Sequence, residues 1–270
     1  MKWTPKIGDM VQEFFMNVKE IFDLTGEKAI VTGAAQGLGE QMALGLAEAG
    51  VDVAVVDINT NRADRVVESI RNLGREAISI KADVTKVSDV EDMVKMVKER
   101  FGKIDILINN AGIVNNLPAE EISKEEWDRI IEVNLSGVFL CAQVVGREMI
   151  KQKKGNIINI SSMSGLIVNR PQPQIHYNTS KAGVIMITKS LAGEWAKYNI
   201  RVNAIAPGYM RTPLVDKVFP KYGKDWASLT PMGRIGDPSE IKGPVLFLAS
   251  KASSFFTGSV LVMDGGYTLW

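Results

Sequence analysis

Among its 270 residues the chain has one cysteine and one histidine. The lone Cys141 excludes an intrachain disulfide, and its apolar neighbours Phe139, Leu140 and Ala142 point to a buried helix position rather than a reactive thiol. His176 by itself offers too few ligands for a metal site, so no metal is expected. No charge of one sign dominates either: 32 Lys and Arg stand against 31 Asp and Glu, which removes any general attraction to nucleic acid or to an anionic membrane. The first 25 residues carry Lys6, Asp9, Glu13, Lys19 and Glu20, so they lack the uninterrupted apolar core of a signal peptide or membrane span. A cytoplasmic protein in a reducing compartment is expected. No internal repeat, low-complexity tract or Pro/Gly/Ser-rich linker divides the chain, and 46% hydrophobic residues suffice for one large core.

What is present is regular alternation. Met10, Val11, Phe14, Phe15, Val18, Ile21 and Phe22 recur at helical spacing, so residues 1–24 read as an amphipathic helical extension that packs on the main domain or on a partner subunit. From residue 25 to 270, seven short β-branched runs predict strands: Lys28 to Thr32, Asp52 to Val56, Ala77 to Lys81, Ile104 to Asn109, Asn156 to Ser161, Arg201 to Ala206 and Ser259 to Met263. Between them lie helix-like stretches, Gly39 to Ala49, Arg62 to Leu73, Val87 to Phe101, Lys124 to Gln152, Tyr177 to Tyr198 and Pro238 to Leu248. Alternation of this kind predicts an α/β fold: a Rossmann-type, doubly wound, seven-stranded parallel sheet in a single domain. The pattern lapses at about 208–237, where Pro213, Pro220, Gly223, Pro231, Gly233 and Gly236 predict an irregular substrate lid.

The first strand runs into Thr32-Gly33-Ala34-Ala35-Gln36-Gly37-Leu38-Gly39 and then a helix. Gly33 permits a tight turn, Gly37 lets the backbone approach a pyrophosphate, and Gly39 lets the helix sit close to the sheet, while the helix N-terminus offers oriented N–H donors to the anion. The second strand ends at Asp57, whose carboxylate would accept from ribose hydroxyls and repel a 2′-phosphate, favouring NAD over NADP. Gln36 adds no positive charge, although Arg62 and Arg65 lie near in sequence. Asp83-Val84 and Asn109-Asn110-Ala111-Gly112 follow the third and fourth strands, at the sheet edge where such folds bind ligands.

Together these motifs resemble the short-chain dehydrogenase/reductase family. The resemblance runs in order through the Gly33 loop, Asn109 to Gly112, Asn134, Ser161-Ser162, Tyr177 to Lys181, Pro207-Gly208 and Asp264-Gly265-Gly266, and so covers nearly everything after residue 25. It implies a nicotinamide-dependent oxidoreductase acting on CH–OH groups, with Asn134, Ser162, Tyr177 and Lys181 as the proton-handling group. Tyr177 would be the base, Lys181 would also bind the nicotinamide ribose, Thr212 would bind the carboxamide, and Asn134 would hold a water on a proton path. Physically, Tyr177 and Lys181 stand at i and i+4 and share one helix face. Lowering a tyrosine pKa of about 10 by roughly 3 units takes about 4 kcal/mol, which an ammonium at about 4.5 Å and an effective dielectric of about 20 supplies. Ser161 and Ser164 rival Ser162 as the hydrogen-bond donor to substrate.

The segment Ser164 to Gln174 is rich in polar side chains, which suits a polyhydroxy substrate; Ser164, Asn169, Gln174, His176 and Met210 are the candidate contacts. This segment, Pro231 to Arg234 and Asp264 to Tyr267 are similar to fungal mannitol-type and related polyol dehydrogenases, and Ala192 to Lys197 is similar to gluconate-type sugar-acid dehydrogenases. Arg170 or Arg211 could meet a carboxylate. The expectation is an NAD-dependent dehydrogenase of a sugar alcohol or sugar acid. A 3-oxoacyl thioester reductase is the enzymatic alternative and a non-catalytic dinucleotide sensor the alternative of another class. The resemblance also implies a homotetramer built through Lys124 to Gln152 and Tyr177 to Tyr198.

Overall fold

The computed structural model describes residues 17–216 and 218–269. Most of the expected N-terminal helix, including Met10, Val11, Phe14 and Phe15, lies outside the described residues. Its end forms a single turn, α1 (Val18–Ile21), capped by Asn17, whose side chain accepts from the Lys19 and Glu20 N–H groups while Glu20 reaches back.

Seven strands form one parallel sheet: β1 (Lys28–Thr32), β2 (Asp52–Asp57), β3 (Ala77–Lys81), β4 (Ile106–Asn109), β5 (Gly155–Ile160), β6 (Ile200–Pro207) and β7 (Val260–Met263). Their order is β3-β2-β1-β4-β5-β6-β7. The winding therefore reverses between β1 and β4, and a crevice opens there at the carboxyl ends of the strands. Both sheet faces are covered because each strand is apolar on both sides. Ala29, Val31, Val53 and Val55 pack under α2 (Gly37–Glu48), α3 (Thr60–Asn72) and α10 (Lys242–Ala249). The alternate residues Ile30, Ala54 and Val56 pack under α4 (Val87–Phe101), α6 (Gly137–Gln152) and α7 (Ile175–Trp195).

Two expectations need correction. The stretch from Lys124 to Gln152 is helical throughout but not one α-helix: α5 (Lys124–Ile131) passes into a π-helical turn, Glu132–Ser136, before α6. This widened turn carries Asn134, which is fully buried. The stretch is long and apolar enough to cross a membrane by composition, but half of that window is buried inside the protein. The second correction concerns 208–237, which holds two helices, α8 (Pro213–Asp216) and α9 (Phe219–Leu229). Its prolines start helices instead of preventing them, since Pro213 opens α8 and Pro220 sits in the first turn of α9. Gly223 lies inside α9 because any Cβ there would press on the Phe219 ring. Tyr222 and Trp226 give α9 its buried side.

Candidate active site

The glycine turn between β1 and α2 is built by close packing. Gly33 has φ +62° and a Cβ there would stand 2.7 Å from the Ala111 Cα, while a Cβ on Gly39 would fall on the Gly33 carbonyl oxygen. Gly39 thus serves contacts within the turn itself, not only helix-to-sheet packing. Asn110 fastens the turn: its Nδ2 donates to the Thr32 and Gly33 carbonyls at 3.0 and 2.9 Å. Thr32 returns the favour through Oγ1, which accepts from the Asn110 and Ala111 N–H groups at 3.0 and 3.1 Å.

One groove of about 580 Å³ runs along the carboxyl ends of the strands. It gathers every residue expected to touch the dinucleotide: Gly33, Gln36, Gly37, Leu38, Gly39, Asp57, Asp83, Val84, Asn110, Ala111, Gly112, Tyr177, Lys181, Pro207, Gly208 and Thr212. Ser162 and Met210 line it as well. At one end Asp57 takes the Ala35 N–H at 3.1 Å on one carboxylate oxygen and the Asn59 N–H at 2.9 Å on the other, which holds the carboxylate in place at the strand end. Arg62, one of the two arginines that lie near Asp57 in sequence, donates to the Gln36 side chain across the same mouth, so a positive charge sits beside Gln36. Asp83 accepts from the Thr85 hydroxyl at 2.7 Å and N–H at 3.1 Å, and these hydrogen bonds hold its pKa below the usual carboxylate value.

Tyr177, Lys181 and Ser162 meet at the inner end. Lys181 Nζ lies 5.6 Å from the Tyr177 ring centre and donates to the Ile160 carbonyl at 2.9 Å. Burial pushes the Lys181 ammonium down to about 8. Burial also raises the Tyr177 phenol, with a Ser162 hydrogen bond pulling the other way. The expected lowering of Tyr177 by Lys181 is therefore not the dominant effect in this arrangement; desolvation is. The candidate serines differ in their partners. Ser161 Oγ donates to the Lys181 carbonyl at 2.8 Å and is committed to the backbone, whereas Ser162 faces Tyr177. Asn134 does not line the groove: it stands behind Gly112, accepting from the Ile113 N–H at 2.8 Å and donating to the Ile113 carbonyl at 2.8 Å and to Ser180 Oγ at 3.2 Å.

The candidate substrate contacts divide. Met210 lines the groove, but Ser164, Asn169 and Gln174 line a separate cavity of about 670 Å³ between their loop and the Asn178 to Ala182 stretch of α7. That cavity is the larger of the two, yet Tyr177, Lys181 and Ser162 all open on the smaller one. His176 has no exposed surface, lines neither cavity, and bonds to Asn115 Oδ1. The polar loop thus turns its amides inward, onto one another. Sequence reasoning missed Ile58, Ile113, Arg129, Leu214 and Val215, which also line the groove. Only Ile58 carried a signal, an isoleucine directly after the strand-ending Asp57. Among the described residues no group of three or more His, Cys, Asp or Glu is placed to hold a metal.

The profile of a family described as Enoyl-(Acyl carrier protein) reductase matches residues 33–268. Galactitol 2-dehydrogenase of Rhizobium johnstonii is 42% identical, over 94% of this chain and all of that protein. The 3-oxoacyl-[acyl-carrier-protein] reductase FabG of Thermotoga maritima is 40% identical, over 91% of this chain and 99% of its own. Among solved structures, a short-chain type dehydrogenase/reductase from Mycobacterium marinum superposes with a TM-score of 0.92 at 44% identity, covering 93% of this chain and 99% of that one. A gluconate 5-dehydrogenase from Burkholderia cenocepacia, in complex with NADP and tartrate, gives 0.90 at 36% identity, over 94% of this chain and all of that one. With the ordered motifs on one groove and matches of this extent, the chain belongs to the short-chain dehydrogenase/reductase family, an enzyme family of oxidoreductases acting on alcohol groups.

Proposed function

We propose that this enzyme interconverts a secondary alcohol and a ketone on a sugar alcohol or sugar acid, with NAD(H) as the hydride carrier. The observation that carries the reading is the meeting of Ser162, Tyr177 and Lys181 at the inner end of the glycine-floored groove. The dinucleotide, when bound, accepts or supplies the hydride at its nicotinamide ring. The chain's own groups handle orientation and the proton. The Ser162 hydroxyl donates to the substrate oxygen and fixes the carbonyl carbon for attack. Tyr177 takes the hydroxyl proton during oxidation and returns it during reduction. Lys181 holds the ribose and places positive charge beside the phenol, and Asn134 anchors the backbone at Ile113 beside Gly112, steadying the wall that faces Lys181.

The polyhydroxy substrate is supported by similarity to galactitol and gluconate dehydrogenases, and the thioester alternative by the FabG relative. A panel separates them. Purified protein with NAD is expected to oxidise at least one hexitol, pentitol or aldonate, and with NADH to leave acetoacetyl-CoA unreduced. Turnover of the thioester alone would replace this reading by the second. Exposed Phe139 on α6 and Met186 on α7 support assembly as a homotetramer through these helices, to be weighed by light scattering.

NAD preference rests on Asp57, against which stands Arg62 at the groove mouth. Replacing Asp57 by Ser removes the repulsion of a 2′-phosphate and leaves Arg62 to attract it. NADP affinity is expected to rise about tenfold, roughly 1.4 kcal/mol, in a fluorescence titration. Tighter binding of NADP than NAD by the unaltered protein would overturn the assignment.

A further inference from the structure

Arg129 lines the groove, and the chemistry described above gives it no task. Apart from Lys181 it is the one cation among the described residues on that lining, and its side chain is 54% exposed, open to whatever the groove holds. Its place follows from the winding of the sheet. The crevice opens where β1 and β4 part, and the chain leaves β1 into α2 and β4 toward α5. Residues of α2 pack on one sheet face, whereas α5 runs through the π-helical turn into α6 on the other. The glycine turn and the α2 N-terminus therefore form one wall of the crevice. Helix α5 stands at the opposite wall, with Arg129 one turn ahead of Val133, another lining residue.

The guanidinium is held at one edge and free at the other. Glu126, one turn earlier, accepts from Arg129 Nε at 3.1 Å and from Nη2 at 2.7 Å. Nη1 has no hydrogen-bond partner among the described residues. Glu126 is anchored in turn. Its Oε1, the oxygen that takes Nη2, also accepts from the Asn115 amide nitrogen, and its own N–H donates to Ser123 Oγ at 3.2 Å. The Asn115 amide oxygen is left for His176 Nε2. His176 has no exposed surface, and it directly precedes Tyr177 at the start of α7. A chain of contacts thus runs from a buried ring beside the catalytic tyrosine to a guanidinium on the groove wall.

We propose that Arg129 binds the pyrophosphate of the dinucleotide from the wall opposite the α2 N-terminus, with Glu126, Asn115 and His176 as the anchor that holds the guanidinium there. The pyrophosphate joins the two nucleoside halves, so with Asp57 at one end of the groove and Tyr177 at the other it belongs between them, at the α2 N-terminus. Backbone N–H groups serve it from that side. A guanidinium is permanently charged and presents paired donors that match phosphate oxygens, which makes Arg129 the complementary group on the other side. Arg129 is a binding residue, and the three anchoring residues act only through it. The proposal rests on the reading of the groove as a dinucleotide site.

Binding of cofactor fragments tests it without turnover. Wild type, Arg129→Met and Arg129→Lys are titrated with adenosine, which has no phosphate, with ADP-ribose, which has the pyrophosphate but no nicotinamide, and with NAD. Arg129→Met keeps the length of the side chain and removes the charge. ADP-ribose and NAD are expected to bind it about tenfold more weakly, the low end for a charge-assisted hydrogen bond because Glu126 shares the charge, while adenosine affinity stays within about twofold. Arg129→Lys keeps the charge without the fork and should lose about threefold. The wild-type affinity for ADP-ribose should also fall more steeply with added salt than that of Arg129→Met. Asn115→Ala releases Glu126 and should cost about threefold for ADP-ribose with adenosine unchanged, since the guanidinium must then be ordered on binding.

Equal affinity of wild type and Arg129→Met for ADP-ribose would overturn the proposal. An equal loss for adenosine would overturn it as well, by making Arg129 a structural residue. So would a raised KM for gluconate with ADP-ribose binding unchanged, which would assign the guanidinium to a substrate carboxylate. An unaltered ADP-ribose affinity in Asn115→Ala would overturn the anchor. The functional reading fails separately: a wild type that binds ADP-ribose but turns over none of the panel above loses the substrate class, and the titrations still decide Arg129. A wild type that binds neither ADP-ribose nor NAD loses both.

Discussion

Replacing Tyr177 by Phe is expected to lower kcat about a thousandfold while NAD still binds within a few-fold of wild type. The Tyr177 side chain is half-buried on the groove wall and its ring packs below the Lys181 ammonium, so Phe keeps the shape and removes only the hydroxyl. A positioned acid or base contributes about 10² to 10⁴ in rate, which places the loss mid-range with the Ser162 donor retained. Pre-steady-state kinetics would separate the chemical step from release, and unchanged turnover would remove Tyr177 from the mechanism. The pH dependence has a definite sign. Oxidation needs the phenolate, and burial raises the Tyr177 pKa, so kcat/KM for alcohol oxidation should climb through the alkaline range while ketone reduction falls there.

Lys181 also leaves a thermodynamic trace. Its folded pKa of about 8 lies below the reference value of 10.5, so between these values the unfolded chain binds the extra proton. Stability contributed by this group therefore rises with pH across that window. Denaturant titrations of wild type and Lys181→Met should converge in slope against pH below about 8 and differ above it. Parallel curves throughout would argue against the burial cost assigned to the ammonium.

The strands were legible because parallel sheets bury both faces, and uninterrupted runs such as Asp52–Asp57 follow directly from that burial. The groove was legible because glycine at Gly33, Gly37 and Gly39, and Asp57 at a strand end, are residue types that the local geometry requires. What escaped were features decided by contacts between distant segments. Pro213 and Pro220 read as breakers because their role as helix starts depends on where α9 packs through Tyr222 and Trp226. The amides of Asn169 and Gln174 read as substrate contacts because composition records polarity but not direction. Only the fold reveals that their partners are Tyr209, Asn178 and Ser164. Arg62 was visible near Asp57, but its bond to the Gln36 side chain, 26 residues away in sequence, is set by the fold. Asn134 matched a family position, yet its burial in a π-helical turn against Ile113 and Ser180 has no signature in the helical periodicity around it.

The other large effect expected is at Gly39, where Gly39→Ala should weaken NAD binding at least tenfold and destabilise the fold by about 2–4 kcal/mol. Gly39 sits in α2, where alanine is the better helix former, so propensity alone predicts a stabilised protein. The contacts predict the opposite. The added methyl would fall on the Gly33 carbonyl oxygen and stand 2.6 Å from Asn110 Nδ2 and 2.9 Å from the Ala34 Cα. Of these three neighbours only Asn110 is a side chain, and it cannot withdraw without giving up its bonds to the Thr32 and Gly33 carbonyls. Those bonds tie the glycine turn to the strand end across the switch point of the sheet, so their loss loosens both walls of the groove together. For a domain of this size each kcal/mol moves Tm by about 2–4 °C, which makes the expected drop roughly 4–16 °C. Calorimetry with and without NAD distinguishes the outcomes: a raised Tm would mean that helix propensity governs the site, and a lowered Tm with weakened stabilisation by NAD would mean that the packed turn does.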